Sequence, residues 1–380
     1  MNIGMVFGAA FVLSFYAGAN YYVGKRIFQC LGFLFPHMNG AAYAAIYILI
    51  ALTLIIGFLP LPSGVKGLVS WIGSYWMGVF AYLFMLLLAA DMALLLASIL
   101  RIVPAPAPPG VRFYAGLCAV LLSACLAGCG IRNAKRIHYA SYEVRTQESA
   151  LSGGMKIVLI SDLHLGAVNS EKRLEGIVRG INGLEPDIVC IAGDIFNNDY
   201  KTIRNPERAI GLLKSIASTY GVYACLGNHD GGSTFHEMAR LLEESDIRLL
   251  NDECVVIDER LVLWGRVDAS PIGGFGGLKR KDVKDFTASL GANMPVVVMD
   301  HNPSGIAEYG GEVDLILSGH THKGQIFPAN LITNAVYEVD YGYYRKDADS
   351  PHVIVTSGAG TWGTPMRVGT NSEIVSILLR

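Results

Sequence analysis

Charged residues and paired cysteines are scarce in this 380-residue sequence. Lys, Arg, Asp and Glu make up 16% of it, against roughly 25% in an average soluble domain. Its seven cysteines include no Cys-x-x-Cys pair, which excludes the usual structural zinc spacings and argues against a disulfide framework. Cys190 and Cys225 sit at the ends of apolar runs, so we expect them to be buried as small hydrophobic residues.

Acidic residues are nearly missing from the N-terminal part. Residues 1–150 hold nine Lys/Arg and three Asp/Glu, a net of +6, whereas residues 151–380 hold 21 and 29, a net of −8. The second part therefore lacks the basic face that a phosphate backbone attracts. We expect no nucleic-acid partner.

Long hydrophobic runs fill the first third of the chain. Four runs are long enough to cross a hydrocarbon core of about 30 Å as helices, and they occupy residues 3–23, 41–60, 72–100 and 111–130. The first lacks the basic n-region of a signal peptide and is followed by further runs. We predict a four-helix transmembrane region over residues 1–131 and a second domain over residues 132–380.

Two features of these runs leave alternatives open. Asp91 lies inside the third run and is either a functional intramembrane carboxylate or a residue that faces the bundle interior or the interface. Basic residues flank both sides of the predicted spans, namely Lys25, Arg26, Arg101 and Arg112 on one side and Lys66, Arg132, Lys135, Arg136 and Arg145 on the other. With four spans, this count leans slightly toward a cytoplasmic second domain.

After residue 150, apolar runs alternate with amphipathic segments. Strands buried on both faces are predicted at Lys156–Ile160, Asp187–Ala192, Val222–Leu226, Val296–Met299 and Leu315–Leu317. Helices are predicted at Glu171–Gly180, Pro206–Ser218 and Thr234–Glu244, with Ser170 and Thr234 as caps. This alternation predicts an α/β core. Lys135–Arg145 is expected to form a first strand, and a second sheet is expected from Glu253–Ile257, Leu261–Trp264, His352–Thr356 and Glu373–Leu379.

A polar block follows each of the five buried strands. The blocks are Asp162-x-His164, Gly193-Asp194, Gly227-Asn228-His229-Asp230, His301 and His320-x-His322. Ligands of open α/β sheets bind beyond the carboxyl ends of the strands, so the blocks should converge. In extended backbone the two i, i+2 pairs would each point one way. One block alone is explained as a helix cap or a satisfied core histidine, but five in this order indicate donors for two divalent cations.

The blocks resemble the motifs of the calcineurin-like metallophosphoesterase superfamily over about residues 155–380. The matching segments are Ser161–Gly166, Gly193-Asp194, Gly227–Asp230, His301–Pro303 and Ser318–His322. Ser357–Gly363, Arg367 and Glu373 are similar to the carboxy-terminal signature of membrane-anchored bacterial members of the phosphodiesterase type. Two positions depart from the pattern: Lys323 replaces a common glycine, and Thr370-Asn371-Ser372 replaces a Cys-Pro-Pro run. Lys323 adjoins the blocks and could therefore alter substrate preference.

This resemblance implies a four-layer α-β-β-α sandwich preceded by an all-α transmembrane bundle, in a bacterial inner (plasma) membrane. It also implies two sets of metal ligands that share Asp194. One set is Asp162, His164, Asp194 and His322, and the other is Asp194, Asn228, His301 and His320. Mixed nitrogen and oxygen donors suit manganese, the metal we expect, with iron or zinc as alternatives.

Further roles follow from the same resemblance. His229 would protonate the leaving alkoxide, and Asp230 either orients its ring or is a helix cap or turn residue. Asn197 and Asn198 are phosphate contacts or turn residues. In the same way, Arg367 binds phosphate or pairs with Glu373, and Phe275 belongs to a mobile flap or an ordinary loop.

We therefore expect a membrane-anchored phosphoesterase that depends on two divalent metal ions. Its substrate would be a phosphodiester, pyrophosphate or phosphomonoester. A lipid-linked substrate, such as a UDP-diacylglucosamine-like pyrophosphate, is one candidate and requires a cytoplasmic domain. The alternative is a non-catalytic metal-binding scaffold or regulator on the same fold. A third hypothesis, transport by the spans, has only Asp91 in its favour. The sequence indicates no oligomeric state.

Overall fold

The computed structural model describes residues 3–146, 153–287 and 294–380. The chain divides into two compact units, Met1–Gly130 and Ile131–Arg380. We call them, after the roles expected from the sequence, the membrane unit and the catalytic unit, and we describe each by itself.

Four apolar helices make up the membrane unit: α1 (Ile3–Leu34), α2 (Gly40–Ile56), α3 (Ser63–Ile99) and α4 (Pro109–Ala134). Three of them, α1, α3 and α4, are long and apolar enough to cross a membrane. Helix α2 has 17 residues and is about 25 Å long, which is short of a hydrocarbon core of about 30 Å. The predicted span at 41–60 is therefore a helix too short to count as a membrane span, and the structure supports the other three predicted spans.

Asp91 of α3 is paired inside the membrane unit. One carboxylate oxygen, Oδ1, lies 2.9 Å from Arg26 Nη2 of α1, and the other accepts a hydrogen bond of 2.6 Å from the Tyr22 hydroxyl. A charged residue in a membrane helix is expected to face a partner in the bundle. This contact supports the interior-facing interpretation of Asp91 and identifies Arg26, which the sequence placed among the flanking basic residues, as its partner.

In its described residues the catalytic unit contains twelve strands and five α-helices. In chain order the strands are β1 (Ile137–Val144), β2 (Met155–Ile160), β3 (Ile188–Ala192), β4 (Val222–Cys225), β5 (Ile247–Leu249), β6 (Glu253–Ile257), β7 (Leu261–Gly265), β8 (Val296–Met299), β9 (Leu315–Ser318), β10 (Gly342–Tyr344), β11 (His352–Val355) and β12 (Ser372–Leu379). The helices are α5 (Glu171–Asn182), α6 (Pro206–Lys214), α7 (Phe235–Glu244), α8 (Lys284–Thr287) and α9 (Ala329–Val336). Ser170 and Thr234 do occupy the N-cap positions of α5 and α7, but neither side chain makes a capping hydrogen bond.

The strands form two six-stranded sheets, in the orders β1-β12-β2-β3-β4-β5 and β10-β11-β9-β8-β7-β6. Strands β2 to β5 are mutually parallel, and so are the neighbours β7, β8, β9 and β11. The assignment of residues 373–379 to the second sheet is wrong. Strand β12 lies in the first sheet, where it pairs with β1 in parallel and with β2 in antiparallel orientation.

Three hydrophobic layers hold the sheets and helices together. Helices α5, α6 and α7 cover the outer face of the first sheet with residues such as Ile177, Leu213 and Leu241. Between the sheets lies a second core, which includes Cys190 and Cys225, both fully buried as expected. On the outer face of the second sheet, a third core gathers around Trp264. The order helices, sheet, sheet, helices confirms the predicted four-layer α-β-β-α sandwich.

Candidate metal centre

The polar blocks meet where strand ends of the two sheets face each other. They follow β2, β3 and β4 of the first sheet and β8 and β9 of the second. Two groups of donors result, each with its ligand atoms within 4.8 Å of one another. The first donor group is Asp162, His164 and His322, and the second donor group is Asp194, His301 and His320.

Two imidazoles and one carboxylate form the first donor group. The Nε2 atoms of His164 and His322 lie 3.1 Å apart. Asp162 Oδ1 lies 3.3 Å from His322 Nε2 and 3.9 Å from His164 Nε2. Asp162 is itself held by the His320 backbone N–H, 3.2 Å from either carboxylate oxygen, and by the Ser161 hydroxyl.

Asp194 connects the second donor group to the first. Its Oδ2 atom lies 3.2 Å from His301 Nε2 and 3.5 Å from His164 Nε2 of the first group. His320 Nδ1 lies 3.3 Å from His301 Nε2 and 2.9 Å from Asn228 Oδ1. All seven predicted ligands are therefore brought together, with Asp194 between the two groups.

The backbone is left-handed at most of these donors. Asp162, His164, Asp194, His320 and His322 all have φ between 45° and 70°, a region that costs a non-glycine residue about 1–2 kcal/mol and that is concentrated at functional sites. The expectation of extended backbone at the two i, i+2 pairs is wrong, although Asp162 and His164 do lie in the same donor group. Because the chain turns at these residues, His320 joins the second donor group and His322 the first.

Gly193 is required by both its backbone and its neighbours. Its φ is 77°, and a Cβ atom there would lie 2.6 Å from His301 Nδ1. That nitrogen lies 2.8 Å from the Ala192 carbonyl oxygen, to which it donates. This hydrogen bond fixes the tautomer of His301 and leaves Nε2 as the atom that can bind a cation.

Electrostatics favour a cation at both groups. Burial lowers the pKa of His164 to about 3 and that of His320 to about 4, so both rings are neutral at pH 7 and keep a lone pair. Burial raises the pKa of Asp162 to about 6. It acts in the same direction on Asp194, but the positive charge of His301 outweighs it and holds the pKa of Asp194 well below its usual range.

These residues fit a dinuclear divalent site. Asp162 and Asp194 are buried, with side chains 0% and 2% exposed, and buried carboxylates require ion partners or metals. The neighbouring imidazoles supply nitrogen donors, and such mixed sets suit manganese, iron and zinc. A cation at the second donor group would take the place of the proton that His301 shares with Asp194.

His229 lies beside the two groups and is held by Asn198. Its Nδ1 atom lies 2.6 Å from Asn198 Oδ1, and its backbone N–H donates to Asp194 Oδ1 at 2.8 Å. With Asn198 Oδ1 as acceptor, Nδ1 carries the ring proton and Nε2 is free to exchange a proton with a substrate. The ring centroid of His229 lies 5.2 Å from that of His164.

Asp230 does not orient the His229 ring. Its two carboxylate oxygens accept hydrogen bonds of 2.8 Å each from the backbone N–H groups of Phe196 and Gly227. Asp230 therefore braces the loops after β3 and β4, which is the turn role weighed against the catalytic one. Asn198, weighed as a phosphate contact, is the partner of the ring instead.

The contacts of three more residues that the sequence singled out indicate structural roles. Arg367 is buried and donates to the carbonyls of Ser357, Gly358 and Gly360, so neither phosphate binding nor pairing with Glu373 describes it. Phe275 is 1% exposed and packs against Phe235, which is unlike a mobile flap. Lys323 has φ 50°, where a glycine is relaxed, and its Nζ lies 3.9 Å from the centre of the Tyr341 ring.

Sequence reasoning assigned no role to three residues around the site, of which two hold its loops by hydrogen bonds. Asn169 is buried and donates to the carbonyls of His164 and Thr361. Arg173 of α5 donates to the carbonyl of Ala359 and the hydroxyl of Ser372. Trp362 lies with its ring centroid 5.8 Å from that of His229. Of the three, only Trp362 had a signal, its place in the carboxy-terminal signature.

The proteins that this chain resembles are metallophosphoesterases, as the geometry of the site leads one to expect. The model of the calcineurin-like phosphoesterase family matches residues 155–324. An uncharacterized metallophosphoesterase of Campylobacter jejuni is 31% identical over 276 residues, 71% of this chain and 71% of that protein. A transmembrane protein with metallophosphoesterase domain from Danio rerio is 29% identical over 69% of this chain and 62% of its own length.

A third relative has a named activity. The UDP-2,3-diacylglucosamine pyrophosphatase LpxG of Chlamydia trachomatis is 26% identical over 270 residues. The similarity covers 55% of this chain and 79% of that protein.

Proposed function

The chain belongs to the calcineurin-like phosphoesterase family, and from that premise we propose that it is a membrane-anchored phosphohydrolase with a dinuclear metal site. The observation that carries this proposal is the position of Asp194 Oδ2, within 3.5 Å of a histidine nitrogen from either donor group. A carboxylate in that position can bind two neighbouring cations at once, and such cation pairs catalyse phosphate-ester hydrolysis in many enzymes. We propose Asp162, His164, Asp194, Asn228, His301, His320 and His322 as the ligands.

When bound, a pair of divalent cations activates water at neutral pH and neutralises charge on phosphoryl oxygens. The residues of the chain supply the rest. His229, through Nε2, protonates the oxygen of the leaving group. Asn198 holds the ring for that transfer, and Asp230 fixes the loop that carries His229.

The proposal is tested by turnover of bis-p-nitrophenyl phosphate and p-nitrophenyl phosphate in the presence of Mn²⁺, Fe²⁺ or Zn²⁺. We expect metal-dependent hydrolysis of at least one of the two, and a loss of at least about 10²-fold in Asp194→Asn, because the shared ligand is weakened for both groups. The matched control is Asp246→Asn, a surface carboxylate whose side chain is 68% exposed. Undiminished activity in Asp194→Asn would refute the metal assignment.

The same assay separates the enzyme from a non-catalytic scaffold. A scaffold would bind metal, and lose it in Asp194→Asn, without hydrolysing either ester. The presence of every proposed ligand and of His229 favours the enzyme, since a degenerate member would have no need for the proton donor. Metal content measured beside turnover therefore distinguishes the two functions.

For the substrate, we propose a lipid-linked phosphate ester or pyrophosphate. Support comes from the three apolar helices long enough to span a membrane and from the relative that acts on UDP-2,3-diacylglucosamine. It also comes from helix α9, which begins seven residues after His322 and carries Leu331, Ile332 and Val336 at 60%, 64% and 70% exposure. Exposed apolar residues grouped in this way indicate contact with a hydrophobic ligand or surface.

This finer proposal has its own test. An acylated nucleotide-sugar pyrophosphate presented in mixed micelles is compared with its deacylated form. We expect Ile332→Thr to raise KM for the acylated substrate alone, whereas Val256→Thr, at an apolar position of β6 that is 52% exposed, should change the KM of neither substrate. Equal turnover of both substrates in all three proteins would argue against a lipid and leave the phosphohydrolase proposal intact.

A further inference from the structure

The membrane unit contains a cavity of about 360 Å³ that mixes cationic and apolar side chains. Helix α1 contributes Arg26, Gln29 and Phe33 to its lining, α4 contributes Arg112 and Phe113, and the proline-rich segment between α3 and α4 completes it. We call it the arginine cavity. It lies where the C-terminal part of α1 meets the N-terminal end of α4.

Arg26 is buried in the wall of this cavity and has a hydrogen-bond donor without an acceptor. Its side chain is 6% exposed, and Nη2 lies 2.9 Å from Asp91 Oδ1, while Nη1 donates to Gln29 Oε1 at 3.0 Å. Nη2 is therefore occupied by the Asp91 carboxylate, but Nε is buried and makes no hydrogen bond with any residue that the structure describes. A buried donor without an acceptor is costly, so Nε indicates a missing acceptor.

The charges around the arginine cavity favour an anion. Asp91 balances Arg26, which leaves the charge of Arg112 in excess among the lining residues. A guanidinium binds phosphate oxygens through paired N–H groups. The other side of the cavity is apolar, because Phe33 and Phe113 stack with their ring centroids 4.3 Å apart.

We propose that the arginine cavity binds a phosphate group, supplied by the headgroup of an anionic membrane lipid. Arg112 and the free Nε–H of Arg26 would contact the phosphate oxygens, and the Phe33–Phe113 pair would contact the start of an acyl chain. Basic pockets between membrane helices are known to select anionic headgroups. The site is independent of the proposed hydrolysis.

The test uses the full-length protein in detergent, with lipid binding measured by native mass spectrometry and by the shift of Tm. The probes are short-chain phosphatidylglycerol, phosphatidylcholine with the same chains, and inorganic phosphate. We expect Arg112→Gln to weaken phosphatidylglycerol binding about tenfold, the effect of losing one charged hydrogen-bond partner. Arg101→Gln, which removes an exposed arginine outside the cavity lining, should leave binding unchanged.

Each outcome decides the proposal. Competition by inorganic phosphate at matching concentration supports the phosphate site and assigns it to a soluble source. Phosphatidylcholine bound as tightly as phosphatidylglycerol, or an Arg101→Gln effect equal to that of Arg112→Gln, overturns it. A second variant, Arg26→Gln combined with Asp91→Asn, removes the paired charges together, and unchanged phosphatidylglycerol binding in that protein overturns the proposal as well.

Discussion

Replacing Asn198 by alanine tests the proton-donor role of His229 without touching the proposed ligands. The change removes the acceptor that lies 2.6 Å from His229 Nδ1. A hydrogen bond to a charged group contributes about 1.5–3 kcal/mol, and the ring is charged while it acts as an acid. We therefore expect Asn198→Ala to lower kcat by roughly 10- to 100-fold, below the roughly 10²–10⁴-fold that a general acid contributes in full.

The assay compares leaving groups on the same metal-loaded protein. A p-nitrophenolate departs without help, whereas an alkoxide needs a proton, so Asn198→Ala should spare bis-p-nitrophenyl phosphate and impair an alkyl phosphodiester. Asn197→Ala is the matched control, since that neighbour makes no contact with the His229 ring among the described residues. In a His229→Gln background the Asn198 change should have no further effect.

Two results would refute this reasoning. Equal losses on both leaving groups would show that Asn198 positions the metal loops instead of a proton donor. Additive losses in the double variant would show that the two residues act separately. Metal content measured for each variant guards against an indirect effect on the ligands.

Three further predictions concern the catalytic unit. Gly193→Ala should abolish metal binding and activity in a folded protein, because its Cβ would lie 2.6 Å from His301 Nδ1. Circular dichroism checks the fold and metal analysis checks the binding. Gly211→Ala is the control and should have no effect, because nothing lies within 4 Å of a Cβ atom there. Arg367→Met should lower the free energy of unfolding, measured by urea titration, by about 3 kcal/mol, because it leaves buried carbonyls without donors. Arg145→Met, at a side chain that is 79% exposed, should change this free energy by less than about 0.5 kcal/mol. Chelation of the metals should lower Tm by several degrees and re-addition should restore it, because a ligand of the native state alone stabilises that state; an unchanged Tm would count against resident cations.

The location of the site was predictable from the sequence because its residues obey a local rule. Asp162, Asp194 and His301 each stand just after an apolar strand, and parallel strands bring such positions to one edge. The partner of a strand follows no local rule. Strand β12 pairs with β1 across more than 200 residues of chain, and nothing near residues 372–379 marks it as part of the first sheet.

Side-chain partners were harder to predict than positions. Asp230 and Asn198 both lie near His229, and only the direction of each side chain shows that the amide holds the ring while the carboxylate holds backbone. In the membrane unit, Arg26 was counted as a flanking charge, yet it pairs with Asp91 from another helix. The charge count for sidedness assumed four spans and Arg26 at the surface, and both premises change with the structure.

The left-handed backbone at five of the donors affects how the protein would respond to its metal supply. Since hydrogen bonds and glycine-lined turns impose that geometry, the polypeptide and not the ion determines where the ligands stand. The occupancy of the site by manganese, iron or zinc should then follow the availability of each metal in the compartment that the site faces. Protein purified from cells grown with different trace metals would then have the same fold but would contain different metal ions and differ in turnover rate.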